Sequence, residues 1–175
     1  MNNIIIVDTK ENPSKFTFIK DKIIFMTDAL IGRNGSTLLK KEGDGKTPIG
    51  TFELGIVFGT HDKHEIILDE SFRYVKINSD LYWVDDIRSK YYNKLVNIKD
   101  VKIDWNSAEH LIDYQIQYEY AIEIKTNPEN IQGRGSAIFV HCSNGAPTAG
   151  CISIQKDKLI ELLNQINKDT KIVIK

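Results

Sequence analysis

The sequence has few cysteines, no long hydrophobic run and no excess of charge of one sign, and each absence excludes a class of protein. Two cysteines among 175 residues cannot form the disulfide framework of a small secreted protein. No apolar run approaches the roughly 18 residues of a membrane span. The net charge is −1, from 23 basic and 24 acidic residues that are interspersed along the chain. We therefore expect a globular protein with no membrane span and no nucleic-acid partner.

The N-terminal residues do not have the pattern of a signal peptide. They lack a basic segment, and their apolar stretch, residues 4–7, ends after four residues. We therefore expect either that the protein remains inside the cell or that an export segment lies outside these 175 residues.

Length and hydrophobic patterning predict a single domain over residues 1–175, made mainly of β-strands. Short apolar or alternating runs predict strands at 4–7, 16–20, 22–27, 51–54, 55–58, 65–68, 74–77, 81–84, 119–125, 137–140, 151–154 and 171–174. Glycine-rich or polar stretches predict loops at 32–50, 86–106 and 127–135.

Two segments are predicted to be helical. Residues 107–112 read as a short helix that Ser107 could cap, and residues 156–167 carry leucine and isoleucine at helical spacing. Together with the strands, this predicts a mainly β fold, an antiparallel β-sandwich or open barrel with one or two helices.

The segment with the most chemical information joins His141 to Cys151. Each lies at the boundary of an apolar run, and two strands connected by a loop can bring an imidazole beside a thiol, as thiolate catalysis requires. His141 would take the thiol proton, since only the thiolate is nucleophilic. Gly150 has no side chain, so the backbone N–H groups of Gly150 and Cys151 could form an oxyanion pocket. The alternative is a structural cysteine beside a hydrogen-bonded core histidine.

The imidazole needs a third group to hold its ring. The candidates are the backbone carbonyl groups of the turn formed by Ser143, Asn144 and Gly145. Cys142 is interpreted as a small buried hydrophobic residue, although a disulfide between Cys142 and Cys151 remains open.

Two further motifs do not predict a function. Gly45-Lys46-Thr47 suggests a phosphate-binding loop, but that loop requires glycine where Lys40 stands, and Pro48 opposes the helix that should follow. The segment from His61 to His64 offers metal ligands, but no second ligand pair is spaced to complete a zinc site. We therefore predict neither a metal nor a cofactor.

Together these segments resemble the L,D-transpeptidase catalytic domain of the YkuD type. Its signature is a histidine, a variable loop and a Ser/Thr-x-Gly-Cys box, here His141 and then Thr148-Ala149-Gly150-Cys151. The resemblance covers most of residues 32–165, the expected catalytic core, through segments 43–52, 83–86, 89–93, 107–111 and 135–141. It implies a β-sandwich with a helix after the cysteine-bearing strand.

The chain departs from the commoner form of the family in a short His-to-Cys loop and at two positions. Ala149 stands where a second histidine is common, and Ser153 stands where an arginine is common. The side chains assigned to a substrate cleft are Thr148, Ser153, Glu109, His110, Trp83, Tyr91 and Tyr92. Plain packing is an equal alternative for the aromatic residues.

The resemblance implies a monomeric, cofactor-independent L,D-transpeptidase that acts on peptidoglycan stem peptides. Cys151 would carry the acyl group as a thioester, and the enzyme would form cross-links or exchange the terminal D-amino acid. An L,D-carboxypeptidase or endopeptidase on the same scaffold and a non-catalytic wall-binding domain remain open. Because peptidoglycan lies outside the cytoplasmic membrane, an extracytoplasmic location is expected.

Overall fold

The structure, a computed structural model, describes residues 3–175 and consists mainly of β-strands. The strands are β1 (Ile4–Asp8), β2 (Ser14–Lys20), β3 (Lys22–Ala29), β4 (Ser36–Thr37), β5 (Thr47–Pro48), β6 (Gly50–Gly59), β7 (Tyr74–Lys76), β8 (Leu81–Val84), β9 (Leu95–Asn97), β10 (Ala108–His110), β11 (Ala121–Ile124), β12 (Phe139–Cys142), β13 (Ile152–Ile154) and β14 (Lys171–Ile174). One α-helix, α1, spans Lys156–Leu163, and two 3₁₀ helices span Lys63–Glu65 and Leu111–Asp113. Within residues 3–175, no helix is both long enough and apolar enough to cross a bilayer.

Eight strands form a continuous sheet in the order β13-β12-β11-β6-β14-β1-β2-β3, and β7 also pairs with β6. The two ends of this sheet meet where Leu30, directly after β3, exchanges backbone hydrogen bonds of 3.0 and 2.9 Å with Ser153 of β13. The sheet therefore nearly closes into a barrel, and the predicted mainly β open barrel is confirmed.

The predicted antiparallel arrangement is only partly correct. The pairs β1–β14, β4–β5, β6–β7 and β12–β13 are parallel. In the last pair, the loop after β12 carries the chain back along that strand before β13 begins. The two strands therefore run in the same direction.

Apolar side chains that alternate along the strands fill the barrel interior. In β1 and β2 the fully buried positions are Ile5, Val7, Phe16 and Phe18. The helix α1 adds one apolar face to the same core through Leu159, Leu162 and Leu163. This core makes the barrel wall, including β12 and β13, a firm support for the groups on its outer face.

A second apolar cluster lies on the other face of β12. The ring of Phe139 has its centroid 4.8 Å from Trp83, 5.0 Å from Phe58 and 5.7 Å from Tyr118. Trp83 belongs to β8, the middle strand of a small sheet ordered β10-β8-β9, so this cluster attaches the small sheet to the barrel. Cys151 is part of the cluster and therefore lies where the two sheets meet.

The predicted helix over residues 107–112 is wrong. Residues 108–110 form β10 and pair with β8, and a 3₁₀ helix follows from Leu111. Sheet pairing of this segment outweighs the helical preference that Ser107 suggested, because propensity is weak beside tertiary contacts.

Other element bounds also differ from the prediction. The predicted strands 51–54 and 55–58 form one strand, β6, the strand predicted at 137–140 is β12, and the predicted loop 32–50 contains β4 and β5. Residues 65–68 form no strand, because the 3₁₀ helix Lys63–Glu65 occupies their start. The predicted loop 86–106 contains β9, whose three residues are too few to show an alternating pattern. The helix α1 ends at Leu163 instead of residue 167, because the chain turns there toward β14.

Candidate active site

Strand pairing places His141 and Cys151 on the same face of the barrel wall. His141 of β12 lies opposite Ser153 of β13. Side chains two residues apart on a strand share a face, so Cys151, directly before β13, lies on the same side as Ser153 and His141. Val140 and Ile152, which pair next to them in the register, point into the barrel core. The imidazole and the thiol therefore both face the second cluster.

Two backbone groups hold the sulfur of Cys151. The N–H of Phe139 donates to Sγ over 3.3 Å, and the thiol donates to the carbonyl of Ala137 over 3.2 Å. Burial raises the pKa of this thiol to about 12, and the charge of Glu109 adds to the rise, while the Phe139 N–H and the charge of Lys40 lower it. The resting residue is therefore a protonated thiol, which must lose its proton before it can act as a nucleophile.

The two cysteines are free thiols and do not form a disulfide. Cys142 follows His141, so its side chain points to the opposite face, into the barrel core. Its thiol lies 3.6 Å from the carbonyl of Tyr120. The interpretation of Cys142 as a buried core residue is confirmed.

The carbonyl of Cys142 orients the ring of His141. Nδ1 lies 2.9 Å from this oxygen, and the side chain is buried. Burial lowers the pKa of the imidazole, against the effect of that hydrogen bond. A neutral ring that donates from Nδ1 keeps Nε2 as a proton acceptor. Within residues 3–175, no hydrogen bond joins His141 to Cys151.

The turn predicted to hold the imidazole makes its hydrogen bonds elsewhere. Ser143 Oγ accepts from the N–H of Gly145 over 3.1 Å, and Asn144 Oδ1 accepts from the N–H of Ala146 over 3.1 Å. These are local turn contacts at the surface, and the carbonyl near Nδ1 comes from the last residue of β12, one position earlier.

Thr148 fixes the backbone before the sulfur. Its hydroxyl donates to the carbonyl of Cys151 over 2.6 Å and accepts from the N–H of Gly150 over 3.1 Å. Because the Gly150 N–H already has an acceptor, the N–H of Cys151 is the better candidate for an oxyanion donor. Gly150 has φ 148°, and a Cβ there would lie 3.0 Å from the carbonyl oxygen of Lys46, so glycine suits this close approach.

Thr47 ties the same segment to the loop around Gly32. Its hydroxyl is fully buried, accepts from the N–H of Gly32 over 2.9 Å and donates to the carbonyl of Gly150 over 2.9 Å. A Cβ on Gly32 would lie 2.4 Å from the carbonyl oxygen of Gly45, so the two loops are in backbone contact.

Replacing Thr47 with valine is expected to destabilise the protein by about 1–3 kcal/mol, because a buried N–H and a buried carbonyl lose their partner at nearly constant volume. Thermal unfolding of Thr47→Val against Thr37→Val measures this, since the hydrogen bond that the Thr37 hydroxyl accepts from the Leu39 N–H is exposed. Equal melting temperatures for the two variants would contradict the role given to Thr47.

A cavity of about 180 Å³ opens beside Cys151. Small residues form the wall next to the sulfur, including Ala137, Ala149 and Gly150. Charged side chains of both signs also line the cavity, namely Arg33, Lys40, Glu42, Asp85 and Glu109. Except for Glu109, these charged residues are not among those predicted for the site, since they come from distant loops with no motif in common.

Glu109 is linked to the histidine side of the site through Tyr118. The Tyr118 hydroxyl donates to Glu109 Oε2 over 2.5 Å, and the Tyr118 ring lies edge-on to His141 with centroids 5.7 Å apart. Burial raises the pKa of Glu109 to about 7, the Tyr118 hydrogen bond lowers it, and the charges of Asp85 and Glu42 raise it. No local pattern distinguishes Tyr118 in the sequence, so only the fold identifies it.

The raised pKa of Glu109 predicts a pH-dependent loss of stability. Between the ordinary pKa of 4.5 and the folded value of about 7, the folded state binds more protons, so its stability falls as pH rises through this window. This group accounts for up to about 3 kcal/mol of that fall. The Glu109→Gln variant should lack this component, so its melting temperature relative to wild type should rise from pH 5 to pH 8.

The matched control is Glu129→Gln, which changes the same charge at an exposed position. It should keep a constant difference from wild type across that range. A Glu109→Gln variant that follows the wild-type pH profile would show that Glu109 is ionised without cost in the folded protein.

Of the residues predicted for a cleft, Glu109 lines the cavity and Thr148 supports it from behind. Ser153 is buried beside β12, and its Oγ has no hydrogen-bond partner within the described part of the chain. The others do not line this cavity. Trp83 and Tyr92 are buried, Tyr91 packs on Trp105, and His110 stacks on Tyr82.

The position of Trp83 has a physical reason. It belongs to the small sheet and packs on Phe58 and Phe139 of the barrel, where a large aromatic ring contributes more than it would at a polar cavity. Tyr92 nevertheless reaches the site indirectly, since its hydroxyl donates to Glu42 over 2.5 Å.

A group of metal-ligand side chains lies away from the cavity. Asp62, His64 and Glu65 bring ligand atoms within 4.8 Å of one another. Asp62 already pairs with Lys76 over 2.6 Å, and the group is at the surface, so it gives no ground for a metal centre.

The sequence matches the model of a known protein family. The family model for the L,D-transpeptidase catalytic domain, YkuD, matches residues 2–174. No curated protein matches the sequence.

Solved structures share the fold at low sequence identity. The helical cell shape determining protein Pgp2 from Campylobacter jejuni is 16% identical with a TM-score of 0.51, and the match covers 99% of this chain and 47% of that one. L,D-transpeptidase 3 from Mycobacterium tuberculosis, solved with a faropenem-derived adduct, is 13% identical with a TM-score of 0.51, covering 99% and 60%. This chain thus spans about half to three fifths of those chains. Since the family match extends over nearly all of its residues, the chain belongs to the YkuD family of L,D-transpeptidase catalytic domains.

Proposed function

We propose that this chain is a cysteine-dependent L,D-transpeptidase that acts on peptidoglycan stem peptides through a thioacyl-enzyme on Cys151. The observation that carries the proposal is the position of Cys151 on the wall of a cavity, on the same face of the sheet as a buried, neutral His141. Membership of the L,D-transpeptidase family supports the substrate class.

The first step transfers an acyl group to the sulfur. The thiol turns from the carbonyl of Ala137, its proton passes to Nε2 of His141, and Sγ attacks the carbonyl carbon of the L,D-peptide bond. The C–N bond then breaks, and the leaving D-amino acid takes the proton from the imidazolium. The lowered pKa of His141 favours this last transfer, because a weaker base is a stronger acid when protonated.

The N–H of Cys151 is our candidate for holding the oxyanion of the tetrahedral intermediate. A preorganised donor of this kind lowers the activation free energy by roughly 3–4 kcal/mol in comparable sites. The hydroxyl of Thr47 donates to the carbonyl of Gly150, which lies in the same peptide plane as this N–H, so the N–H is held in one orientation during the reaction.

The second step releases the acyl group. An acceptor amine attacks the thioester carbon, the C–S bond breaks and a peptide cross-link forms while the proton returns to the thiol. Attack by water would give a carboxylate and make the protein an L,D-carboxypeptidase. Charges of both signs in the cavity suit a stem peptide, which carries amino and carboxylate groups close to the bond that reacts.

The proposed substrate indicates where the protein acts. Peptidoglycan lies outside the cytoplasmic membrane, and we therefore infer that the protein acts in the cell envelope.

Incubation with purified disaccharide-tetrapeptide, followed by mass spectrometry of the products, tests the proposal. We expect a cross-linked dimer and one released D-amino acid per cross-link. Release of the D-amino acid without dimer would establish a carboxypeptidase instead. Unchanged substrate, with the folded protein in excess, would favour a wall-binding domain.

A further inference from the structure

We propose that Lys40 is a catalytic residue of the Cys151 site, where its ammonium group contacts and stabilises the negative charge that develops on the sulfur and on the carbonyl oxygen of the acyl donor. This inference rests on the proposed function and adds a residue from the loop between β4 and β5. Its sequence position, in the segment that resembles a phosphate-binding loop, gives no indication of this role.

The side chain of Lys40 is largely covered at the cavity. It is only 10% exposed and lines the same cavity as Cys151. Nζ lies 3.2 Å from the point that a Cβ on Gly150 would occupy, directly before the nucleophile. A lysine at the surface would instead extend into water, where its charge is well hydrated.

Two glycines make room for this side chain. A Cβ on Gly135 would lie 2.8 Å from Lys40 Cγ, and one on Gly150 would lie 3.2 Å from Nζ. Both glycines have φ values that L side chains rarely adopt, 92° and 148°. The missing Cβ atoms of these two glycines therefore leave room for the lysine side chain. Its ammonium group lies beside Gly150, the residue before Cys151.

Asp44 holds the ammonium group in position. Its Oδ1 lies 2.5 Å from Lys40 Nζ, and its carboxylate also accepts from the N–H groups of Lys41 and Lys46 over 2.9 Å each. Burial raises the pKa of Asp44, but the hydrogen bonds from Lys40, Lys41 and Lys46 lower it by more, so the carboxylate stays charged. An ammonium group has three donors, and Asp44 is its only hydrogen-bond partner within residues 3–175.

The charges around Cys151 oppose one another. Glu42, Asp85 and Glu109 line the cavity as carboxyl groups, and Glu109 raises the pKa of the thiol. Lys40 lowers that pKa, and Arg33, the other cation on the wall, is exposed to solvent. In a buried site a cation acts more strongly than in water, so Lys40 is the group that offsets the acidic wall when the thiolate forms.

The test compares Lys40→Met, Lys40→Arg and Lys41→Met, the last being an exposed neighbour that loses the same charge. All are made with Cys142→Ala, so that Cys151 is the single thiol. The first readout is the rate of alkylation of Cys151 by iodoacetamide from pH 7 to 10, which needs no peptide substrate. The second is the rate of thioester formation with disaccharide-tetrapeptide.

We expect alkylation at pH 8 to fall roughly tenfold in Lys40→Met, as one unit of thiol pKa predicts. Thioester formation should fall roughly 10²-fold or more. Lys40→Arg should recover most of both rates, and Lys41→Met should stay within about twofold of its parent. If Lys40→Met does not fold, Lys40→Gln, whose amide can still donate to Asp44, replaces it with the same expectation.

A folded Lys40→Met or Lys40→Gln variant that alkylates at the parental rate would overturn the role of Lys40. So would an arginine variant no better than methionine. The two proposals fail separately: a parent that never reacts with stem peptide but shows the alkylation pattern refutes the proposed function alone. An active parent with an equally active Lys40→Met refutes the lysine proposal alone.

Discussion

Cys151→Ala is expected to abolish both cross-linking and D-amino acid release, with a fall of roughly four orders of magnitude or more. In the proposed mechanism the sulfur carries the acyl group between donor and acceptor, and no other nucleophile among the residues lining the cavity can replace a thiolate. Quantified muropeptide products from equal amounts of wild type and variant measure the effect.

The chain supplies its own control in Cys142→Ala. Both cysteines are buried free thiols, but only Cys151 faces the cavity, whereas Cys142 packs in the barrel core. Cys142→Ala should retain activity within a few-fold, although its melting temperature should fall slightly because a small cavity is left. Loss of activity in both variants, or in Cys142→Ala alone, would show that the chemistry does not depend on Cys151 in the way proposed.

His141→Gln is expected to lower the rate of thioester formation by roughly 10²–10⁴-fold, the usual contribution of a positioned general base. Glutamine can still donate to the carbonyl of Cys142 but cannot accept the thiol proton. Because the thiol has a pKa of about 12, the variant depends on the small thiolate fraction set by solvent. Its residual rate should therefore rise about tenfold per pH unit between pH 7 and 10.

The pH dependence of the wild-type rate should differ from that of His141→Gln. Burial lowers the pKa of His141 below its ordinary value of 6.5, so neutral imidazole persists, and activity should be retained, on the acid side of 6.5. His110→Gln is the matched control, since this histidine stacks on Tyr82 and does not line the cavity. A His141→Gln variant whose rate follows the wild-type pH profile would remove His141 from the role of base.

The sequence predicted the parts of the site that are local in the chain. His141, Thr148, Gly150 and Cys151 lie within one short segment, and their spacing and residue types carry the resemblance to the family. The mainly β barrel and the helix after β13 could also be predicted, because apolar periodicity is a local property.

The remainder depends on contacts between distant segments. Asp85 and Glu109 reach the cavity because the small sheet packs on the barrel through Trp83 and Phe139, and Lys40 reaches it from the separate loop between β4 and β5. The segment around Glu109 was predicted as a helix for the same reason: its pairing partner, β8, lies far away in the sequence. The parallel pairing of β12 and β13 likewise depends on the path of a loop, which composition does not specify.

The central claim, that Cys151 is an activated nucleophile open to an acyl donor, is tested most directly by covalent labelling. The protein is incubated with a carbapenem, whose β-lactam carbonyl acylates a reactive thiolate, and then examined by intact mass and peptide mapping. The account predicts one adduct per chain, on Cys151, formed in wild type and in Cys142→Ala and greatly slowed in His141→Gln. An unmodified protein, or an adduct on any other residue, would contradict it.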